Sequence, residues 1–511
     1  MKNKKKNKLF VGLFMLWISI FAIGLVRKTL QNDTFYTIKI GELILNNGID
    51  MMDHFSYHVG LPYTYPHWLY DVFIYIVFKS FGYPGLYVSS IVLLIILLLI
   101  VFRTNILTCN KNYFMAALAT FICALSISGF ATARAQLVSF IVFALTIYFI
   151  ESFLKNGCKL YLFGLLLLSL ILCNIHVAVW PFYYILYLPY FAEYIICFIA
   201  QKIKLKRESK FINFLKSRIV LEKNERVKYL FFTFLLSLFT GLLTPIGDTP
   251  YTYLIKTMMG NSQKYIQEHQ MITWANSPFT IIIAAETIFF AIFSKIKLRD
   301  LFMIIGLSFM SVMSVRHISL LALVGTICFG RVFSLFFDNN KLDINDKVIS
   351  FFTKRSIIVV AFTLVITFTF FMTKHQLKSD YIDKELYPVS AVKYIKNNID
   401  IEKMHIFNDY DFGSYLLLNN IPVFIDSRAD LYTKQFSGFD YDIFDDYEYI
   451  YNNYQEKFQF YDITHVLIYK NNNNLYNILK NDYNYEKLYE DDVFVLYEKL
   501  KKPKFIVTFE N

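Results

Sequence analysis

Long apolar runs recur along the first three quarters of this chain, and polar residues collect between them. The run at residues 91–102 (IVLLIILLLIVF) is typical, since nothing in it can face water. A membrane span needs about 20 mainly apolar residues. On that criterion the pattern predicts eleven helical spans, near residues 9–26, 85–102, 113–131, 136–153, 160–174, 177–200, 229–246, 278–296, 300–314, 317–336 and 356–373.

Lys and Arg residues concentrate in alternate connections between these spans. The connection at 201–228 alone has ten Lys or Arg residues against three Glu. Basic residues concentrate on the cytoplasmic side of membrane proteins. The pattern therefore predicts a cell-membrane protein with a cytoplasmic N-terminus, and eleven crossings then place the C-terminal segment outside the cytoplasm.

The segment at 66–81 (PHWLYDVFIYIVFKSF) is amphipathic rather than uniformly apolar. Counting it as a twelfth span would invert every later connection and move the basic block at 201–228 outside. We therefore predict a helix lying in the outer interface, with Asp71 and Lys79 facing water.

Composition and charge support a division into two parts. The 511 residues are 56% apolar and 18% charged, with a net charge of +11. Residues 1–373 carry +18 and residues 374–511 carry −7. We predict a membrane domain over 1–373 and an extracytoplasmic α/β domain over 374–511. The basic total thus reflects topology and not a nucleic-acid partner, and six cysteines without a CxxC pair indicate neither a disulfide framework nor a zinc site.

The predicted topology places unusual polar residues on the outer side. Arg134, His176, Arg316 and His317 each adjoin an apolar run, so they should line one cavity near the outer interface. The ordinary alternatives are that the arginines are snorkelling anchors and the histidines are structural.

Several motifs, in order along the chain, resemble the bacterial GT-C superfamily of glycosyltransferase-like membrane proteins. The first outer loop has the pattern of that group, an acidic residue after the first span and then two juxtamembrane helices. The matching segments are 33–48 (DTFYTIKIGELILNNG), 53–57 (DHFSY), 66–71 (PHWLYD), 134–140 (RAQLVSF), 174–177 (NIHV), 243–247 (LTPIG), 266–269 (IQEH), 316–322 (RHISLLA), 407–415 (FNDYDFGSY) and 423–432 (VFIDSRADLY).

This resemblance implies transfer of a sugar from a polyprenyl-phosphate donor to an acceptor at the outer face, with Asp33 at the reaction centre. Displacing a phosphate from an anomeric carbon needs a base for the acceptor proton, which Asp33 would supply. It also needs cations for the leaving phosphate, for which Arg134, Arg316 and His317 are the candidates. An N-cap role for Asp33 is the structural alternative.

Further residues of the outer loops are candidates for orienting the acceptor or sharing its proton. They are His54, His67 and His269, with Glu268 as a partner for one of them. A divalent metal held by Asp33, Asp53 or Glu268 together with a histidine stays open, because the motif at Asp33 lacks an adjacent acidic pair.

The C-terminal segment predicts strands at 405–408, 423–426, 465–469 and 493–497, with helices near 388–398, 411–419, 434–455 and 473–482. Asp409, Asp426 and Arg428 follow strand ends, where α/β sheets bind ligands, so they are candidates for binding the acceptor or a carbohydrate. Turn and capping chemistry is the alternative.

The sequence therefore predicts a polytopic GT-C-type membrane glycosyltransferase whose acceptor is a protein, a lipid or a wall polymer. A transporter or flippase of a lipid-linked precursor is one rival. A non-catalytic envelope protein that binds a partner through its C-terminal domain is the other.

Overall fold

The chain forms a polytopic helical membrane protein with a small soluble α/β region near its C-terminus. A computed structural model describes residues 2–202, 217–260, 271, 295–339, 344–451, 453–471 and 473–500. Within those residues, seven helices are long and apolar enough to cross a membrane. The helices of the first three quarters are α1 Lys2–Leu25, α2 Asn32–Asn47, α3 Trp68–Thr108, α4 Tyr113–Ile127, α5 Ala135–Asn156, α6 Leu160–Ile175, α7 Val177–Gln201, α8 Val227–Leu242, α9 Thr249–Met259, α10 Leu298–Met313, α11 Val315–Phe337, α12 Ile344–Phe352 and α13 Arg355–Lys378.

Every predicted span that falls on described residues coincides with one of these apolar helices. Only the last two residues of the predicted span at 278–296 are described, and Glu268 and His269 lie outside the described residues. Four of the matching helices are shorter than 18 residues within these bounds: α4, α6, α8 and α10. The helix α4 reaches 18 residues when the following turn to Phe130 is included. Apolar run length was therefore sufficient to find the helices.

Two compact units share the chain, and the chain passes between them several times. The first unit comprises residues 1–28, 84–251 and 263–378, and the second comprises 29–83, 252–262 and 379–511. The first outer loop thus clusters with the C-terminal segment, whereas the sequence predicted it as part of a 1–373 domain.

Contacts inside the first unit give the relative directions of its helices. Thr369 donates to the carbonyl of Ile20 at 3.2 Å, and the backbone N–H of Lys28 donates to Gln376 at 3.3 Å. Because both partners advance together along the chain, α1 and α13 run parallel. The first and the eleventh of eleven successive spans must cross the membrane in the same direction, so the predicted topology requires this parallel arrangement.

The second unit contains a four-stranded sheet. Its strands are β3 Ile406–Asn408, β4 His465–Tyr469, β5 Tyr485–Glu490 and β6 Phe494–Lys499, in the order β3-β4-β6-β5. Here β1 Ile219–Val220 and β2 Ile296–Lys297 denote a short parallel pair in the first unit. β3 and β4 are parallel, while β6 is antiparallel to both β4 and β5. Around the sheet lie the helices Val389–Asn398, Gly413–Leu418, Lys434–Ser437, Ile443–Ile450, Tyr454–Phe460 and Asn474–Leu479.

Three details of the predicted C-terminal region are wrong. Residues 423–426 are not a strand of this sheet, because the backbone of Val423 pairs with the first outer loop at Phe55 and Tyr57. The predicted helix at 434–455 is broken into separate helices, with Gly438 in the left-handed region at a φ of 73°. The strand β5 was not predicted, since its residues are mostly polar and it is held by its hairpin with β6.

The predicted interface helix is the first part of α3. Gly82 interrupts that helix with a φ of 62° and a ψ of −157°, a conformation that residues with a Cβ rarely adopt. The glycine therefore separates an amphipathic helix from the apolar span that follows it.

Candidate active site

Asp33 lies in the first turn of α2, in the second unit. The helix begins at Asn32 and its N-cap is Gln31, so the N-cap alternative for Asp33 is wrong. A carboxylate in a first helical turn is stabilised by the helix dipole. The side-chain amide of Asn32 donates to the carbonyl of Tyr410 at 3.0 Å, which ties this turn to the segment after β3.

Carboxylates gather around two buried phenols beside this turn. Burial, and then the charges of Asp33, Asp411 and Asp383, raise the pKa of Tyr387. Burial and an overlapping set of carboxylates, again including Asp33 and Asp411, raise the pKa of Tyr410. Asp33 thus lies in an acidic environment with Asp411. No group of three His, Cys, Asp or Glu side chains within the described part of the chain is arranged to hold a metal ion.

His67 forms hydrogen bonds on both sides of its ring. Its Nδ1 lies 2.7 Å from Asp71 Oδ1, and its Nε2 lies 3.0 Å from the hydroxyl of Tyr36 in α2. Asp71 is fully buried, so the prediction that it faces water is wrong. Its amphipathic helix packs against α2 and turns this carboxylate toward His67.

His54 is in a different environment from His67. Its ring lies on the surface and its Nε2 is 2.6 Å from Asp50 Oδ2, with both side chains about half exposed. The two predicted histidines of the first outer loop are therefore not equivalent, and only His67 belongs to a buried network.

Asp426 and Arg428 form a buried ion-pair network with Asp53 of the first outer loop. The Arg428 guanidinium donates to Asp426 at 2.7 and 2.9 Å and to Asp53 at 2.5 Å. Tyr432 donates to Asp426 at 2.6 Å, and the guanidinium carbon lies 5.1 Å from the ring centroid of Tyr63. Burial raises the pKa of Asp53, but Arg428 and hydrogen bonds from Ser56 outweigh it and hold the pKa below its usual value.

This arrangement explains why the segment at 425–432 (IDSRADLY) contains both acidic and basic residues. Both carboxylates and the guanidinium are almost completely buried and already have partners. Asp426 and Arg428 therefore fix the first outer loop to the C-terminal region. We do not propose them as carbohydrate ligands.

Asp409 is also buried, but without a cation beside it. It accepts hydrogen bonds from the hydroxyl of Tyr451 and, at 2.7 Å, from the backbone N–H of Tyr469 in β4. Burial raises its pKa to about 7, with the two hydrogen bonds opposing the shift and Asp411 adding to it. The neighbouring Asn408 bonds the backbone of Phe424 and Ile425. These contacts hold Asp409 against β4 and Tyr451, and its side chain makes no capping hydrogen bond to the turn that follows it.

In the first unit, the segments that carry Arg134, His176, Arg316 and His317 converge at one end of the helices. Gln136, two residues after Arg134, donates to Ser319 at 3.2 Å, and Ser319 donates to the carbonyl of Arg316 at 3.0 Å. His176 is bonded to Ser139 of α5 at 2.8 Å. The ring of His317 lies 5.0 Å from that of Phe182 in α7. The structure thus brings these four residues into one region. The sequence alone predicted only that they lie on the same side of the membrane.

A second polar cluster, at the opposite end of the same helices, was missed. Arg331 of α11 bonds Glu151 of α5 at 2.5 Å and pairs with Asp300 of α10 at 3.1 Å. Arg299 pairs with Glu193 and Glu222, each at 3.1 Å. The only available signal was single charges inside apolar runs, such as Glu151 and Arg331, which are costly without partners.

The cluster around Arg134 and Arg316 and the cluster around Arg299 and Arg331 together show in which direction each helix runs relative to its neighbours. Glu151 follows Arg134 by about 25 Å of helix, at 1.5 Å per residue. Arg331 follows Arg316 in the same sense along α11, whereas Arg299 lies at the start of α10, the preceding helix, whose other end leads to Arg316. Residues at one end of each helix meet, and so do residues at the other end, as alternating crossings require.

The whole chain was compared with solved structures. The archaeal oligosaccharyltransferase AglB from Archaeoglobus fulgidus, in complex with an inhibitory peptide and a dolichol-phosphate, matches with a TM-score of 0.56 at 10% sequence identity. The match covers 90% of this chain and 69% of that one. The apo form of the same enzyme matches equally well.

The fold is GT-C-like. A third structure of the same oligosaccharyltransferase, tethered to an acceptor peptide containing the NVT sequon, matches at 11% identity with a TM-score of 0.54. At such identities the likeness describes the fold alone. No protein-family model and no curated protein matches the sequence. The GT-C-like fold and the polytopic helical class with a C-terminal α/β region were both predicted correctly.

Proposed function

We propose that this protein is a membrane glycosyltransferase of GT-C type, which moves a sugar from a lipid-phosphate donor to an acceptor at the outer face of the membrane. The observation that carries the proposal is the GT-C-like fold over 90% of the chain, together with an acidic residue at the start of the helix that follows the first span. The cationic region around Arg134 and Arg316 supplies the complementary chemistry.

The proposed reaction assigns a role to each charge. The acceptor atom bonds to the anomeric carbon of the sugar while the bond from that carbon to the phosphate oxygen breaks. Asp33 takes the acceptor proton. The phosphate leaves with the bonding electrons, and Arg134, Arg316 and His317 stabilise its negative charge.

The chemistry of the matched oligosaccharyltransferase suggests the substrate classes. Its structures contain a dolichol-phosphate and, separately, an acceptor peptide. By analogy we propose a polyprenyl-phosphate-linked donor for this chain, and a protein as the first acceptor to test, followed by lipids and wall polymers. His54, His67, Glu268 and His269 stay candidates for orienting that acceptor.

The test uses membranes that contain the full-length chain, supplied with radiolabelled polyprenyl-phosphate sugars. Wild type should transfer label covalently to an endogenous acceptor, and Asp33→Asn should reduce transfer at least 100-fold, the scale on which an acid–base group contributes. Asp400→Asn, which changes an exposed carboxylate paired with Lys403, is the matched control and should transfer normally.

Two results would contradict the proposal. Full transfer by a correctly inserted Asp33→Asn variant removes Asp33 from the chemistry. Saturable binding of the donor without turnover by wild type favours a transporter or an envelope-binding protein.

A further inference from the structure

We propose that Tyr36 and Asp71 are positioning residues for the reaction, acting through His67 on the helical turn that carries Asp33. The inference rests on the proposed function and adds two residues to it. It comes from the continuous hydrogen-bonded series Tyr36–His67–Asp71, which is buried within the second unit.

Asp71 determines which nitrogen of His67 carries the proton. A carboxylate only accepts hydrogen bonds, so Nδ1 of His67, 2.7 Å from Asp71 Oδ1, must be the donor. In the neutral ring Nε2 is then an acceptor, and the hydroxyl of Tyr36 at 3.0 Å donates to it. The direction of both hydrogen bonds is therefore defined, and it is set by the buried carboxylate of Asp71.

The series ends on the part of α2 next to Asp33. Tyr36 follows Asp33 by three residues, so the two side chains lie on neighbouring turns of one helix face. Thr37, the next residue, lies close enough to Asp71 to oppose the burial that raises the pKa of this carboxyl. Asp71 thus reaches α2 at two adjacent positions, at Tyr36 through His67 and at Thr37.

Backbone contact makes this connection rigid. A Cβ added to Gly41 of α2 would lie 2.1 Å from the carbonyl oxygen of Asp71. The two helices therefore touch one turn beyond Tyr36, which leaves α2 little freedom to shift against Asp71. A base must be held close to its productive geometry, since a displacement of about 1 Å can lower a rate roughly 100-fold.

The experiment uses full-length protein reconstituted in liposomes with the polyprenyl-phosphate sugar and acceptor that wild-type membranes use. Tyr36→Phe removes one oxygen, Asp71→Asn removes the charge that orders His67, and the double variant removes both. Tyr75→Phe is the matched control, because it deletes a hydroxyl from the same amphipathic helix that carries Asp71. Thermal unfolding of each purified variant shows whether it is folded.

We expect Tyr36→Phe and Asp71→Asn each to lower kcat about 10- to 100-fold with the KM for the donor nearly unchanged. The double variant should be no slower than the slower single variant, because both changes break one series. Tyr75→Phe should keep the wild-type kcat.

The outcomes separate this inference from the function on which it rests. Unchanged kcat in Tyr36→Phe, or losses that multiply in the double variant, overturns the series while transfer by wild type upholds the function. If Asp71→Asn does not fold, Tyr36→Phe decides the matter alone. Absence of transfer by wild type, with every donor and acceptor class, overturns both.

Discussion

At the scale of single residues, charged side chains with similar sequence surroundings have different environments. Arg428 pairs with both Asp53 and Asp426, and all three side chains are buried. Asp409 has only a tyrosine hydroxyl and a backbone N–H, and burial raises its pKa to about 7. Sequence reasoning grouped Asp409, Asp426 and Arg428 as ligand-binding candidates because it could not tell which partners each would find.

From the raised pKa of Asp409 we predict that the free energy of unfolding depends on pH. Because the folded-state pKa exceeds the usual value of 3.8, the contribution of this carboxyl to stability is fully present below about pH 4 and is lost as the pH rises to about 7. Asp409→Asn mimics the protonated form, so at pH 8 it should be more stable than wild type, by up to about 4 kcal/mol.

Thermal unfolding of purified protein between pH 4 and 8 measures this effect. The advantage of Asp409→Asn over wild type should shrink toward pH 4. Asp400→Asn, at an exposed site, should follow the wild-type curve within about 0.5 kcal/mol. A variant that unfolds at lower temperature than wild type at pH 8 would show that the charged form of Asp409 is the stabilising one.

At the scale of elements, apolar run length predicted the helices better than alternation predicted the strands. A membrane helix satisfies its own backbone, so its position depends mainly on local sequence. A strand depends on its neighbour: residues 423–426 are apolar enough for a strand, yet Val423 pairs with the first outer loop instead of the sheet. The polar strand β5 exists because β6 lies beside it.

From the close contact between α2 and the amphipathic part of α3 we predict the effect of enlarging Gly41. Gly41→Ala places a Cβ 2.1 Å from the Asp71 carbonyl oxygen, so the helices must separate. We expect a loss of about 1–3 kcal/mol in stability, typical of overpacking, and a lower rate of transfer.

Gly12→Ala is the matched control, since a Cβ there meets nothing within 4 Å. Alanine favours helix over glycine by up to about 1 kcal/mol, so this variant should unfold at or slightly above the wild-type temperature. Equal melting temperatures for the two variants would mean that the close approach at Gly41 is not needed.

At the scale of the whole molecule, the opposite ends of the membrane helices carry different kinds of polar cluster. One end gathers Arg134, Arg316 and two histidines, and the other holds the ion pairs around Arg299 and Arg331. Arg299 lies between the predicted spans at 278–296 and 300–314, where a loop cation would be exposed, yet it is buried and paired. Charge counts along the chain therefore predicted an orientation without revealing this network.

Cysteine labelling tests that orientation. Cys158, between α5 and α6, is exposed, and the other five cysteines are buried. A cytoplasmic N-terminus places Cys158 inside the cell. A membrane-impermeant maleimide should therefore leave it unlabelled in intact cells and label it after permeabilisation.

An introduced Gly129→Cys, between α4 and α5, provides the comparison. A Cβ there meets nothing within 4 Å, so the substitution is tolerated, and in intact cells this thiol should react at once. The reverse labelling pattern would invert the topology and place Arg134 and Arg316 on the cytoplasmic side.

The sequence by itself determined where the apolar helices lie within the described residues, the α/β character of the C-terminal region and the GT-C-like fold. The helices follow from apolar run length, a local property, the α/β region from its pattern of short strands and helices, and the fold from the resemblance of the motifs. Tertiary structure alone decided that Asp71 is buried against His67, that Arg428 joins Asp53 to Asp426, and that Glu151 and Arg331 neutralise each other. Burial and pairing of a charge depend on residues far away in sequence, because the cost of removing an ion from water is offset only by the partner that folding brings to it.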